Sequence, residues 1–496
     1  MDERESNPIR KSPPTTESER FVADLCDRTF LGLWSYPCVY QDKGASQTGE
    51  GKELCDLLVV FEGHVLIFSD KHCVFPRSGN PDLDWSRWCK RSVIAAAKQL
   101  RGAERWIKAY PSRIFVDRAC KQRFPIEIPA QETATYHLIV VAHGSVTATR
   151  QALGGTGGLV VTNTIEGEDL ARKPFTAGEL DSSKTFIHIF DDQSLPIVLG
   201  SLDTIVDFVE YLAAKETLLR SPIPVLARSE EDLLAVYLAN IDATGHRAFA
   251  LELTQEGIVA DEGEWNQLAS SGWWQHERDL NDLSYAWDSM IQSSASNTLD
   301  DRRWFAYPHD TFGDSELILR MMARESRVRR RTLGRMWLES LAKSKADETY
   351  MRCMISSDPN DTQWLFLFVP RLDSMTYQEY RERRAAVLEL ECHLLKHRHP
   401  SASDIIGIAA ESGLSHIDRS EDLMYFNARL WSDEDERRAA ELHRERREVS
   451  SSMIIPAEYN ERSPEFLAAL IRSLHEGPCP CGSGMNYAQC HAGRPN

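Results

Sequence analysis

Two short apolar runs near residue 60 carry the clearest periodic signal in this chain of 496 residues. CDLLVVF at 55–61 and HVLIFSDK at 64–71 are separated only by Glu62-Gly63. Their length, their aliphatic content and the short glycine-containing joint predict a β-hairpin. Apolar residues at helical spacing precede the hairpin in ESERFVADLCDRTF and follow it in 84–110, so a helix is predicted on either side.

The rest of the pattern divides the chain into α/β and helical segments. Strand candidates at 136–144, 157–164 and 185–192 and a helix at 199–221 complete an α/β domain over 17–225. Residues 1–16 are predicted to be a disordered leader, 226–345 a mainly helical region, and 346–455 a small strand–helix–strand unit. A linker helix and a cysteine cluster occupy 456–496. The predicted fold class is multi-domain α/β, with a mixed sheet flanked by helices in the first domain.

Composition and charge narrow the class of protein. No stretch approaches the ~20 consecutive apolar residues of a membrane helix, and the polar N-terminal segment lacks the apolar core of a secretory signal. We therefore expect a cytoplasmic protein with no membrane association. The net charge of −18, from 57 basic and 75 acidic residues, argues against non-specific coating of nucleic acid, because such binding depends on neutralising phosphates. A local basic groove stays compatible with that charge.

Three of the eleven cysteines cluster near the end of the sequence, whereas the others are scattered as small buried hydrophobes would be. The cluster supplies three thiolates and one imidazole, the closed four-ligand set of a structural zinc ion rather than a catalytic one. So short a segment has no core of its own, so metal binding would supply most of its folding energy. The alternative is a tail without metal. The predicted zinc ligands are Cys479, Cys481, Cys490 and His491.

This cluster resembles the SEC-C motif, which is appended to many unrelated bacterial proteins. The resemblance implies a structural Zn²⁺, a bacterial source, and a tail that docks a protein partner. Met485-Asn486 stands where the family commonly has a lysine-rich pair, so the recognition surface is expected to be less basic. The positions that match are Cys479, Cys481, Gly482, Ser483, Gly484, Tyr487, Cys490 and His491.

The predicted hairpin carries a second candidate chemistry. Asp56 begins its first strand and Lys71 ends its second, so both side chains are expected at the same end of the hairpin. Glu53, three residues before Asp56, and Glu19 on the preceding helix would add oxygen ligands. Phosphodiesterases hold Mg²⁺ with carboxylates of this kind, beside a lysine that orients or activates the attacking water.

The order of acidic helix, strand aspartate, acid-x-Lys strand and helix resembles the PD-(D/E)XK nuclease superfamily. The resemblance implies a nuclease-like fold in which Asp56 binds Mg²⁺ or Mn²⁺ and Lys71 is the catalytic lysine. It also implies that Gln99 is the polar residue of the following helix and Glu19 the acid of the first helix.

One position departs from that family pattern. The acid expected two residues before the lysine is Ser69, and Asp70 falls between them on the opposite face of the strand. Either Glu53 or Asp70 takes the place of the missing acid after a local bulge, or the site has lost its activity. The first hypothesis is a metal-dependent nuclease, a hydrolase of nucleic acid in defence or processing. The alternative is a non-catalytic adaptor on a degenerate nuclease-like scaffold.

The strongest local basic run is RESRVRRRTLGR at 324–335. Arg320, Arg324, Arg327 and Arg331 recur at helical spacing and would form a stripe able to follow phosphates. Pairing of this solvated helix face with the abundant acidic residues is the favoured interpretation.

Overall fold

The computed structural model describes residues 8–241, 246–249, 257–301, 306–307, 311–356, 358, 360–413 and 420–450. The chain divides into two compact units, one formed by Pro8–Leu280 and one that begins at Asn281. The division falls inside 226–345, the region predicted to be mainly helical. Both units combine helices with mixed sheets, so the predicted α/β class is confirmed. Within the described ranges, every helix is too short or too polar to cross a lipid bilayer.

The N-terminal unit contains ten helices and ten strands within its described residues. In chain order these are α1 (Glu17–Phe30), β1 (Ser35–Gln41), α2 (Ala45–Thr48), β2 (Lys52–Phe61), β3 (His64–His72), α3 (Pro81–Cys89), α4 (Ala95–Ala109), β4 (Ile114–Phe115), β5 (Thr135–His143), α5 (Val146–Leu153), β6 (Val160–Thr162), β7 (Thr176–Ala177), β8 (Ile187–Asp191), α6 (Ser194–Ser201), α7 (Ile205–Leu219), β9 (Val225–Ala227), α8 (Glu230–Ala239), β10 (Ile258–Ala260), α9 (Glu264–Ser270) and α10 (Gly272–Asn281). A π-helical turn, Lys90–Ile94, joins α3 to α4.

The first sheet has six strands in the order β4-β1-β2-β3-β5-β8. β2 is antiparallel to both of its neighbours, β1 and β3, whereas β3, β5 and β8 run parallel. The carboxyl ends of β3, β5 and β8 therefore lie at one edge of the sheet, beside the start of β2. In open α/β sheets this edge is where ligands bind. A second, four-stranded sheet has the order β10-β9-β6-β7.

The β2–β3 hairpin forms as its apolar pattern predicts. Phe61 pairs with His64 across a two-residue turn, and Glu62 takes a left-handed φ of 50°, which allows the strands to reverse direction so tightly. Most residues of both strands are buried, because helices cover the two faces of the sheet. Phe30 of α1 contacts Phe68 on one face, and α4 packs on the other.

Residues 8–16 lie against the sheet ahead of α1. The Ser12 hydroxyl donates to the Val116 carbonyl at 2.7 Å. Thr16 then starts α1 through a capping box with Glu19, in which each side chain binds the other's backbone amide. The amino end of α1 is thereby fixed close to the carboxyl edge of β3, since Ser18 contacts Asp70 there.

The C-terminal unit is built on a five-stranded sheet in the order β11-β15-β14-β13-β12. Its core packs the long helix α14 against β13 and β14, around Leu365, Leu388 and Ile405. Its described elements are α11 (Tyr285–Leu299), β11 (Ala306–Tyr307), α12 (Phe312–Ala323), α13 (Arg327–Lys343), β12 (Tyr350–Met354), β13 (Thr362–Val369), α14 (Tyr377–Arg398), β14 (Asp404–Glu411), β15 (Asp422–Asn427) and α15 (Asp433–Ser450).

Candidate active site

Four of the predicted site residues meet where β2 begins and β3 ends. The Ser69 hydroxyl donates to Asp56 Oδ2 at 3.3 Å, and Lys71 Nζ lies 3.5 Å from the same oxygen. Gln99 Nε2, on α4, donates to Asp56 Oδ1 at 3.4 Å. Ser69 and Lys71 therefore share the face of the sheet that α4 covers, and Asp56 is the common partner of all three.

Asp56 is nearly buried and has a pKa above its ordinary value. Burial is the largest cause, because it disfavours the charged carboxylate. Lys71 and the Asp70 amide, which donates to Asp56 Oδ2 at 2.6 Å, favour the carboxylate, while Glu19 adds a repulsive charge. A cation at this point would offset the repulsion and favour the carboxylate.

Glu53 lies at the start of β2, three residues before Asp56. Partial burial, then the negative charges of Asp56 and Glu19, raise the pKa of Glu53 to about 7. Lys71 and Arg118 oppose that rise. The site thus collects more negative charge than its own cations neutralise, which is the electrostatic condition for binding a metal ion.

Glu19 takes part in this electrostatic cluster, but its hydrogen bonds serve the helix. Its Oε2 accepts from the Thr15 amide at 2.8 Å and from the Thr16 amide at 3.2 Å. The predicted first-helix acid is therefore held in the capping box of α1. It acts on Asp56 and Glu53 through its charge.

Asp70 points to the opposite face of β3 and does not replace the missing acid. Its Oδ1 lies 2.5 Å from His143 Nε2, and its Oδ2 accepts from the Ser18 hydroxyl at 2.6 Å. Burial lowers the pKa of His143, but the hydrogen bond and charge of Asp70 outweigh it and leave the pKa raised. The side chain of Asp70 is thus committed to this ion pair, and only its main-chain amide reaches Asp56.

The donor set suits a cation that keeps part of its water shell. Across the described ranges, no three His, Cys, Asp or Glu side chains are arranged to hold a metal ion together. Asp56 and Glu53 interact through their charges and would be the two carboxylate ligands of such an ion. Mg²⁺ is commonly bound by one or two carboxylates with several waters retained, so two are sufficient. The predicted zinc ligands, Cys479, Cys481, Cys490 and His491, lie outside the described residues.

The arginine run at 324–335 is held by ion pairs and polar contacts. Asp288 accepts from Arg327 at 2.7 Å and from Arg330 at 2.8 Å, and all three side chains are buried. Arg329 lies 3.3 Å from Glu325. The structure supports pairing with acidic residues, as the favoured interpretation has it, but the central arginines are buried rather than solvated.

Sequence reasoning missed the residues that hold Asp70 on the opposite face of β3. His143 and Ser18 fix Asp70, and thereby the amide that holds Asp56. His143 lies 73 residues after Asp70, at the end of a strand whose neighbours a single sequence does not specify. The one available signal was its place at the end of an apolar strand, where parallel strands bring polar residues to one edge.

Comparison with known proteins identifies one segment of the chain. No curated protein and no solved structure gives a significant match. Residues 478–493 match the model of the SEC-C motif, which confirms the resemblance seen in the cysteine cluster. The match covers only the segment that contains the cysteine cluster, and the chain is similar to the SEC-C motif there.

Proposed function

We propose that the N-terminal unit is a Mg²⁺- or Mn²⁺-dependent nuclease that hydrolyses phosphodiester bonds in nucleic acid. One observation carries this proposal: Asp56, Lys71 and Gln99, from two strands and a helix, converge on one point. The chain order also supports it, since α1, the β2–β3 hairpin and the α3–α4 helix follow one another as in the PD-(D/E)XK pattern.

Asp56 and Glu53 would hold the metal ion, which would polarise the phosphate and promote ionisation of a bound water. Lys71, whose Nζ lies 3.5 Å from Asp56 Oδ2, would orient the attacking water and offset negative charge that develops on the phosphate. Gln99 and the Asp70 amide keep the Asp56 carboxylate in one orientation, which limits the reorganisation needed during reaction. Ser69 adds a hydroxyl contact to the same carboxylate.

A second function, a non-catalytic adaptor, is favoured by one specific feature. Ser69 occupies the position where the family pattern has an acid, and a hydroxyl is a weaker Mg²⁺ ligand than a carboxylate. Both oxygens of Asp56 already accept hydrogen bonds from protein groups. In this alternative those bonds stabilise the hairpin and replace the metal.

Cleavage assays separate the two functions. Full-length protein would be incubated with labelled DNA and RNA, with Mg²⁺, with Mn²⁺ and with a chelator. Metal-dependent cleavage by the wild type, lost in Asp56→Asn and Lys71→Ala, would support the nuclease. Lys43→Ala is the matched control, because Lys43 is an exposed lysine outside the site. Cleavage that survives Lys71→Ala would refute the assignment, and its absence with either metal would favour the adaptor.

We further propose that the SEC-C tail binds one structural Zn²⁺ and docks a protein partner. The motif match supports this proposal, because its three cysteines and one histidine form a closed ligand set. Native mass spectrometry of the full chain should show one zinc per molecule. Cys479→Ser should lose it and Cys353→Ser, the matched control, should retain it. A wild-type mass without zinc after purification in zinc-supplemented buffer would contradict the proposal.

A further inference from the structure

The helical segment that delivers Gln99 to the site has a charge opposite to that of the whole protein. Between Arg87 and Lys108 the chain has seven basic residues and one acidic residue, Glu104, although the protein as a whole carries −18. This segment is the end of α3, the π-helical turn and nearly all of α4. It was not singled out by sequence patterning, because its cations are interleaved with alanines and aromatic residues.

Five of these basic side chains are exposed and lack an acidic partner. Within the described ranges, none of the five lies within ion-pair distance of a carboxylate. The other two are partnered, since Arg101 lies 3.8 Å from Asp181 and Lys108 lies 2.6 Å from Glu104. The exposed set, which we term the basic face, consists of Arg87, Lys90, Arg91, Lys98 and Arg105.

Burial on the other side of the helix explains why the basic face points outward. Ala96, Ala97, Leu100 and Ala103 are buried on α4, so the intervening cations are directed to solvent. From Arg87 to Arg105 is 18 residues, or ~27 Å at 1.5 Å per residue. Lys98 precedes Gln99 on α4, so the basic face and the residue that contacts Asp56 belong to the same helix.

The contrast with 324–335 shows that this exposure is specific. There, Arg327 and Arg330 are buried against Asp288 and contribute to the fold. The arginines and lysines of the basic face, in contrast, make no ion pair with any described acidic residue. Like charges on one side of a helix repel one another, and a bound anion would relieve that repulsion.

We propose that the basic face binds the sugar–phosphate backbone of nucleic acid and guides the strand to the site at Asp56 and Lys71. A ~27 Å row of cations matches a polymer of repeated phosphates, whereas a single small anion would use only part of it. A lipid surface fits less well, because membrane-bound helices insert large apolar side chains. Leu100 and Ile107 of α4 are buried instead. The inference rests on the proposed function for its role, but the binding itself needs no catalysis.

The test is a binding titration with the full-length protein in buffer that contains neither Mg²⁺ nor Mn²⁺, so that no cleavage occurs and the proposed zinc is retained. Fluorescence anisotropy with a labelled 30-nucleotide single strand and with the same sequence as a duplex would be measured at several salt concentrations. The variant is Arg87→Gln/Lys98→Gln/Arg105→Gln. Its plot of log affinity against log salt should be shallower than that of the wild type by about 2 to 3. Each lost phosphate contact removes ~0.7 for a single strand and ~0.9 for a duplex.

The control is Arg172→Gln/Lys173→Gln/Lys184→Gln, which removes the same charge from exposed positions of the same unit. It should keep the wild-type slope, and circular dichroism should show that both triple variants are folded. An equal loss of slope in the control would overturn the proposal. So would the absence of wild-type binding to either oligonucleotide at low salt, or binding only to anionic lipid vesicles.

The outcome is independent of the cleavage assay. Oligonucleotide binding that depends on the basic face, without cleavage in any metal, would retain this inference and reject the nuclease. If the basic-face variant cleaves as fast as the wild type, and its binding has the same salt dependence, the nuclease is retained and this inference is rejected.

Discussion

Acidification should destabilise the N-terminal unit through His137, a buried histidine on β5. Only 2% of its surface is exposed, and its Nε2 lies 3.0 Å from His64 Nδ1. Its Nδ1 has no hydrogen-bond partner within the described ranges. Burial, followed by the neighbouring His64, lowers the pKa of His137 from 6.5 to about 3. The folded protein therefore binds the proton much less readily than the unfolded chain.

The sign and size of the change in stability with pH follow from the difference between the folded and unfolded pKa values of His137. Because the folded pKa is the lower one, the stabilising contribution of neutral His137 is fully present above pH 6.5. It is lost as pH falls from 6.5 to about 3. At pH 5 the loss is about 2 kcal/mol, since each pH unit below 6.5 costs about 1.4 kcal/mol until the folded histidine titrates.

The assay compares wild type with His137→Phe, which removes the titrating group and keeps a ring in the core. Free energies of opening for β3 and β5 would be measured by hydrogen exchange and mass spectrometry at pH 7.5 and 5.0. The exchange of amides in these two strands reports on the N-terminal unit. The packing cost of phenylalanine is the same at both pH values. Wild type should therefore lose about 2 kcal/mol more than the variant.

His276→Gln is the control for the loss of a histidine outside the core, because His276 is exposed on α10. Carboxyl groups with raised pKa values, such as Glu53, have the opposite effect, because their protonation at low pH favours the folded protein. They are common to all three proteins and cancel in the comparison. Equal losses in wild type and His137→Phe, within about 0.5 kcal/mol, would refute the reasoning.

Three further predictions concern other parts of the molecule. Lys215→Met should lower the free energy of unfolding by about 3 to 5 kcal/mol, because it leaves Glu230, its buried partner at 2.5 Å, without a counter-charge. Lys215→Met/Glu230→Gln should recover most of that loss in urea unfolding. Gly334→Ala should destabilise the C-terminal unit by about 1 to 3 kcal/mol, since its methyl would overlap the Leu283 carbonyl. Thermal unfolding should show no such loss for Gly102→Ala, where the space is open. Mn²⁺ affinity measured by calorimetry should fall about tenfold from pH 8 to pH 6, because Glu53, with a pKa of about 7, becomes protonated. An affinity that is flat over this range would exclude Glu53 as a ligand.

The hairpin shows how far local pattern reaches. Two apolar runs and the Glu62-Gly63 joint were enough to predict β2 and β3 and their antiparallel pairing. The pattern also implied that Ser69 and Lys71 share one face and that Asp70 faces the other, because alternation along a strand is a property of the backbone. The cysteine cluster is similarly local, and the SEC-C match confirms it.

Contacts between distant segments lay beyond that reach. The pairing of Asp70 with His143 depends on β5 lying parallel to β3, and the burial of Arg330 depends on where Asp288 falls in the packing of α11 and α13. The sequence does not show whether a basic side chain is paired with an acidic residue or exposed to solvent. The sequence therefore singled out the run at 324–335 as the strongest basic segment, although pairing with acidic residues was the favoured interpretation, while the exposed cations of α3 and α4 were not identified.

By itself the sequence determined the α/β class, the hairpin, the face on which each of its polar residues lies, and the SEC-C motif at 478–493. These follow from short-range periodicity, turn chemistry and ligand spacing, all of which act within a few residues. Only the tertiary structure decided which carboxylates share a site, which of them is held by a histidine, and which cations remain unpaired. Those outcomes depend on distances in space and on burial, which arise when segments far apart in the chain pack together.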